Sequence, residues 1–256
     1  MVNQDARVPV ALQMYSVREE ATGDFQGTLK AVAAIGYTAL ELAGYGDLTA
    51  PHLRTVLDDL GLRAVSNHVA LSRLREDLDR AIEESLALGC HFLICPWLPE
   101  SERGDADGYR RLATELSGFG RRCQEQGLGF AYHNHDFEFK QLDGRFALDI
   151  LLDTADPQTV KSELDIYWAY YAGVDPAEYL RRLGNRCALV HLKDMTKDDT
   201  RTFAEVGEGR LDFPAIFAAA GEAGVAYYVV EQDRCQRPPL ESVRISLEHL
   251  RAWGIA

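Results

Sequence analysis

The chain has 256 residues, 46% of them hydrophobic and 26% charged, which suits a sizeable buried core and a globular fold. A formal net charge of -13 argues against unassisted binding to nucleic acid, which needs lysine and arginine to displace counterions from phosphates. Cys90, Cys95, Cys123, Cys187 and Cys235 show no C-x-x-C spacing, so neither a disulfide framework nor a zinc ribbon is suggested and a reducing cytoplasm is the expected compartment.

At the N-terminus, MVNQDARVPVALQ lacks a basic segment followed by a long apolar run, and no apolar stretch approaches the roughly 20 residues that span a bilayer. Neither export nor membrane insertion is expected. Val8 to Tyr15 reads as a strand, with Leu12 and Met14 on one face and Gln13 and Tyr15 on the other. A helix pattern follows from Phe25 to Ile35 and stops at Gly36, the residue best able to take the left-handed conformation after a last turn. The unit then recurs: strand Tyr37 to Leu42, helix Pro51 to Leu60, strand Leu62 to Val69, helix Leu74 to Leu88, strand Cys90 to Pro96, helix Ala106 to Gln126. Next come a strand from Leu128 to His135, a short helix Phe146 to Leu152, strand Thr159 to Ile166, and helix Pro176 to Leu183. Strand Cys187 to Asp194, helix Phe213 to Ala223, strand Ala226 to Gln232 and the amphipathic helix Leu240 to Trp253 close the chain.

Eight strand-helix units at a spacing of roughly 25 to 40 residues predict one (β/α)8 barrel over residues 1–256. A doubly wound open sheet would need a glycine-rich phosphate loop after the first strand, and SVREEATGDF is not one. In such a barrel the active site forms at the C-terminal ends of the strands, and there the sequence turns polar. Tyr15, Glu41, His68, His133 with His135, Glu163 with Asp165, His191 with Lys193, and Glu231 with Asp233 end seven of the eight strands. Alternation gives them a common direction: Leu40 and Leu42 flank Glu41, Leu164 and Ile166 flank Asp165, and Val190 and Leu192 flank His191.

The densest stretch is Phe130 to Phe139, FAYHNHDFEF, where His133 and His135 share a strand face and can reach one metal ion or one substrate. Carboxylates and imidazoles converging from several strands stay uncompensated unless something positive sits among them, and a divalent metal is the economical answer. Mixed His, Asp and Glu donors suit Mn2+, Co2+, Fe2+ or Zn2+ better than the all-oxygen sites of Ca2+ or Mg2+. In VGEGRLDF, Gly207 and Gly209 bracket Glu208 and make either a loop lining the pocket or a tight turn before the next helix. Trp97 and Trp168, just past strand ends, either wall the pocket or pack, with the wall favoured for Trp168.

Taken together, LQMYSVR, LELAGY, YHNHDFEF, ELDIYW, HLKDM, VGEGRLDF and VVEQDR resemble the xylose isomerase-like TIM barrels, over Val8 to Trp253. More narrowly the chain looks like the sugar phosphate isomerase/epimerase group, relatives of inosose dehydratase, ketose 3-epimerases and endonuclease IV. That resemblance implies one divalent metal held by a Glu, an Asp, a His and a Glu from the last four strands. By motif position Asp165, His191 and Glu231 match three of these, while His133 stands where the family commonly has Glu and becomes the fourth ligand. The exchange removes a negative charge and a potential base, which departs from the two-glutamate mechanism of the ketose epimerases.

These features predict a metal-dependent isomerase or epimerase acting on a sugar, sugar phosphate or polyol, by proton transfer next to a metal-bound carbonyl. Loss of a β-hydroxyl, as in a dehydratase or lyase, is the alternative, and a non-catalytic sugar-binding barrel is another. Candidate proton carriers are His135, Lys193, Glu163 and Glu231, with Lys193 alternatively a counterion for the acids. Tyr15, Glu41, His68, Trp168, Glu208 and Asp233 are the candidate substrate-binding residues. A three-zinc DNA-repair endonuclease is disfavoured by the acidic charge and by only seven histidines. The expected partner is therefore a small sugar or polyol, with a homo-oligomer also open.

Overall fold

A computed structural model describes residues 8–256. The residues before Val8, part of the stretch inspected for an export signal, lie outside the described ones. Eight parallel strands close into a barrel in which every strand pairs with its neighbours in sequence and the last pairs with the first. They are β1 Val10–Gln13, β2 Ala39–Leu42, β3 Arg63–His68, β4 Phe92–Cys95, β5 Gly129–His133, β6 Lys161–Asp165, β7 Cys187–Leu192 and β8 Tyr227–Val230. The principal helices outside are α1 Phe25–Ile35, α2 Ala50–Asp59, α3 Leu78–Ala87, α4 Ala106–Glu125, α5 Ala147–Thr154, α6 Pro176–Leu183, α7 Phe213–Ala223 and α8 Pro239–Ala252. Among the described residues no helix is long and apolar enough to cross a membrane.

Local chemistry starts and stops these helices. Asp24, Asp77, Asp105, Asp175 and Asp212 each accept a backbone N–H from the first turn of the helix that follows. Such a cap satisfies a donor that the helix itself leaves open and stabilises by about 1 kcal/mol. Gly36 ends α1 in the left-handed region at φ 108°, where a side chain would also meet the Arg251 guanidinium. Asp77 has a further effect. The sequence predicts one helix over Leu74 to Leu88, but Asp77 breaks it into Leu71–Glu76 and α3, because its carboxylate caps Arg80 N from a non-helical backbone. Similarly β1 stops at Gln13, short of Tyr15, because the Gln13 side chain accepts Tyr15 N and turns the backbone into the 3-10 segment Met14–Val17.

Inside the barrel the period of two sorts residues into levels. Ala11, Ala39, Val65, Ile94, Ala131, Leu189 and Val229 form a closed apolar plug of their own, separate from the larger core between strands and helices. Two residues further along five of these strands stand Gln13, Glu41, His133, His191 and Glu231, all buried. Two of the strand pairings contain register shifts, between Leu40 and Glu41 and between Ser162 and Glu163. Bulges of this kind re-aim side chains, and both occur where a glutamate enters the interior.

Candidate active site

The polar level is a continuous network. Gln13 Nε2 donates to Glu41 Oε1 at 2.8 Å and lies 3.2 Å from His68 Nδ1, while Ser66 Oγ donates to the other Glu41 oxygen at 2.5 Å. His68 Nε2 is 2.9 Å from Glu41 Oε1 and 2.8 Å from Glu163 Oε2. His191 Nε2 lies 2.6 Å from Glu41 and 3.2 Å from Glu163, and its Nδ1 lies 2.8 Å from Glu231 Oε2. His133 Nδ1 is 3.1 Å from Glu163 Oε2 and its Nε2 is 3.7 Å from Asp165 Oδ2. Lys193 Nζ, itself 1% exposed, stands 2.8 Å from Asp165, 2.6 Å from Glu231 and 2.8 Å from Asp233.

The electrostatics follow from burial and from these partners. Burial opposes charge on Lys193, but Asp165, Asp233 and Glu231 outweigh it and hold the ammonium well above the usual lysine range. Burial likewise works against His68, yet Glu41 and Glu163 raise it to about 9. His133 goes the other way: burial, then the neighbouring His191 and His135 and nearby cations, depress it well below an ordinary histidine. Burial and Lys193 depress His135 to about 3, which leaves a neutral ring. Asp165 is raised to about 6 by burial, only partly offset by Lys193.

Two overlapping groups could hold a metal ion: His133, Asp165, His191 and Glu231, and His68, His133, Glu163 and His191, with candidate ligand atoms within 4.8 Å of one another in each. The residues fit an ion on three counts. Asp165 Oδ2 and Glu163 Oε1 are buried without a hydrogen-bond partner, the Lys193 contact to Asp165 being close but poorly aligned. A cation, the Lys193 ammonium, is already drawn to two carboxylates of the first group. Finally, nitrogen and oxygen donors without thiolate match a mid-series divalent ion.

Over the network opens a cavity of about 420 Å³, within the range of small-molecule sites. His68, His133, His135, Glu231 and Asp233 line it, and Tyr15, Ala43, Ala70, Pro96 and Trp97 complete its wall. His135 Nδ1 and Asp233 Oδ2 are buried atoms of this lining without a hydrogen-bond partner, although Lys193 stands close to the latter. A groove of about 480 Å³ beside α5 and α6 is larger, but its Arg145 and Arg182 are paired with Asp153 and Asp149 and it lies apart from the network.

The structure thus brings together Tyr15, Glu41, His68, His133, His135, Glu163, Asp165, His191, Lys193, Glu231 and Asp233 at one barrel mouth. Two residues singled out from sequence stand elsewhere. Glu208 faces Arg237 at 3.0 Å and does not line the cavity. Its loop is a turn wound on Asp194, which accepts the backbone N–H of Gly207, Gly209 and Leu211, and a side chain at Gly209 would strike that carboxylate. Trp168 is packed against Tyr167, Tyr171 and Phe203 behind His135, while Trp97, the less favoured tryptophan, is the one on the cavity wall.

Sequence reasoning passed over Gln13, whose place two residues before Tyr15 on the inward face was the available signal. It also passed over Asn134, whose Oδ1 accepts Asp165 N at 3.0 Å, and Glu138, which accepts His135 N at 2.8 Å and the Tyr132 hydroxyl. Nothing in a linear pattern announces those partners.

Comparison with known proteins agrees with this architecture. An inosose dehydratase of Geobacillus kaustophilus is 28% identical over an alignment that covers 87% of this chain and 85% of the relative. A sugar phosphate isomerase/epimerase from Parabacteroides distasonis superposes with a TM-score of 0.82 at 28% identity, covering 98% of this chain and 96% of the other. The IolI protein with a bound zinc atom shares the fold alone, with a TM-score of 0.77 at 14% identity and 95% and 97% coverage. With the family model for xylose isomerase-like TIM barrels matching residues 29–253, and a closed eight-stranded barrel carrying its polar network at the strand ends, this chain belongs to the xylose isomerase-like TIM barrel family.

Proposed function

We propose that the protein is a metal-dependent enzyme that removes a proton next to the carbonyl of a polyhydroxylated ketone and then eliminates a β-hydroxyl as water. The observation that carries this reading is His135 Nδ1, a buried cavity-lining atom without a hydrogen-bond partner, which shares the cavity with the Lys193-paired Asp233 beside a His/Asp/His/Glu set. His133, Asp165, His191 and Glu231 would hold the ion, which supplies Lewis acidity toward a carbonyl oxygen. His135, kept neutral but made a weak base by burial and Lys193, receives the proton at Nδ1, its ring fixed by stacking on Phe137 and by Trp168 behind it. Asp233 delivers a proton to the departing hydroxyl from the end of β8, three strands around the barrel from β5, so acid and base approach from different sides. Lys193 keeps Asp165 and Glu231 together in a small volume that their mutual repulsion would otherwise open.

The inosose dehydratase relative supports elimination, a lyase outcome. An isomerase or epimerase outcome is supported by the Parabacteroides distasonis neighbour, and the same two groups on two sides could pass a proton between faces of the substrate. The test is incubation of metal-loaded protein with inosose in D2O. Deuterium incorporation with net loss of water is expected. Incorporation without water loss would select the isomerase or epimerase reading, and no exchange at all would defeat both. His135→Ala is expected to cut turnover by a factor on the order of 10² to 10⁴ with the metal content unchanged.

A further inference from the structure

The names carried by the two relatives diverge on one chemical point, whether the substrate bears a phosphate, and the cavity wall bears on it directly. Among the described residues lining the cavity none is arginine or lysine, whereas Glu231 and Asp233 both face it. The cations nearby are all committed. Arg18 donates to the carbonyls of Tyr15 and Asp233, both at 2.8 Å, and lies over the Tyr15 ring at 4.0 Å. Arg103 donates to the Leu98 carbonyl at 3.0 Å and lies over the Phe137 ring at 3.6 Å, with Trp97 at 5.0 Å. Lys193 is buried among three carboxylates. His68, which also lines the cavity, is engaged by Glu41 at 2.9 Å and Glu163 at 2.8 Å, so a phosphate dianion entering the mouth meets Glu231 and Asp233 with no fork of donors to receive it.

The wall offers something else. Tyr15 and Trp97 are each 44% exposed, and both face the same cavity from beyond the ends of β1 and β4. Trp97 is held by Arg103, which in turn rests on Phe137, the ring stacked against His135. An aromatic face braced in this way, beside buried hydrogen-bonding atoms, presents an apolar surface for ring C–H groups and polar atoms for hydroxyls.

We infer that the site takes an uncharged polyhydroxylated ring or ketose and discriminates against its phosphate ester, with Trp97 as the platform on which the substrate rests. This inference rests on the sugar-processing reading above and names the substrate class for that site. It is tested by calorimetric binding to metal-loaded protein, without turnover, using inosose and D-fructose against D-fructose 6-phosphate. The neutral ligands are expected to bind at least about tenfold more tightly than the phosphate, since like charges brought together oppose binding. Trp97→Ala should weaken the neutral ligands by up to about tenfold, and Trp97→Phe should recover most of the loss. Ala43→Arg, at an exposed rim position, should create affinity for the phosphate ester that the natural chain lacks. A phosphate bound as tightly as the neutral sugars, no neutral ligand bound at all, or Trp97→Ala without effect would overturn the inference. Binding of neutral ligands without deuterium exchange would preserve it while removing the proposed reaction.

Discussion

Two levels of the same barrel interior, separated by two residues along five of the strands, have opposite characters. The lower one, Ala11, Ala39, Val65, Ile94, Ala131, Leu189 and Val229, is small, apolar and closed. The upper one holds Glu41, Glu163, Asp165, Glu231, His133, His191 and Lys193, all buried and in contact through carboxylates. Both are taken from water to the same extent, yet only the lower gains free energy simply by being buried. The upper must recover the desolvation of its charges from one another or from an ion. The plug and the outer core are separate apolar clusters and supply the favourable burial that such a level cannot.

That comparison makes three unequal predictions. Replacing a carboxylate or imidazole of the upper level should act chiefly on metal. Asp165→Ala and His191→Ala are expected to lower metal affinity by more than about a hundredfold, beyond what loss of a supporting hydrogen-bond partner costs. Elemental analysis after dialysis reads this directly, and full occupancy in both variants would remove the metal assignment. Replacing a residue of the plug should act on stability and spare the metal. Leu189→Ala removes a fully buried side chain, and a loss of about 2 to 5 kcal/mol in urea unfolding is expected with metal affinity unchanged. If the two levels were energetically one unit, that variant would lose its ion as well.

The smallest effect concerns the seam between strand and site loop. Glu138 is fully buried and burial raises its carboxyl to about 7 from an ordinary 4.5. A folded-state value above the unfolded one means stability that is present below pH 4.5 and is lost as pH rises through about 7, because ionising the buried acid disfavours the native state. The melting temperature should therefore fall across that window by a few °C more in the natural chain than in Glu138→Gln. Parallel melting curves from pH 4.5 to 8 would show instead that Tyr132 and His135 N, which both bond this carboxylate, fully compensate its charge.

How much of this was legible beforehand differs between level and partner. Alternation in ALEL, SELD and ALVHL put Glu41, Asp165 and His191 on the inward side, because a strand has a period of two whatever surrounds it. The same rule located the barrel mouth, since every strand of a (β/α)8 fold runs the same way. It missed the end of the first strand, where the Gln13 side chain captures Tyr15 N although Tyr15 still faces the cavity, and it had no bearing on Glu208, whose GEG loop is the tight turn, wound on Asp194.

By itself, then, the amino-acid sequence determined the repeating units, the closed barrel and the inward direction of the ligand-type residues, all of which follow from periodicity and glycine stops. Which of them meet was decided only by closure of the barrel. Glu41 and His191 are 150 residues apart and touch at 2.6 Å; Gln13, Asn134 and Lys193 acquire their partners from other strands. The choice of Trp97 over Trp168 for the cavity wall was likewise tertiary, since each follows a strand end and only packing against Tyr167 and Phe203 draws Trp168 away. Local rules fix where a side chain points along its own element, but a contact needs the second element in place, and that placement is a property of the whole fold.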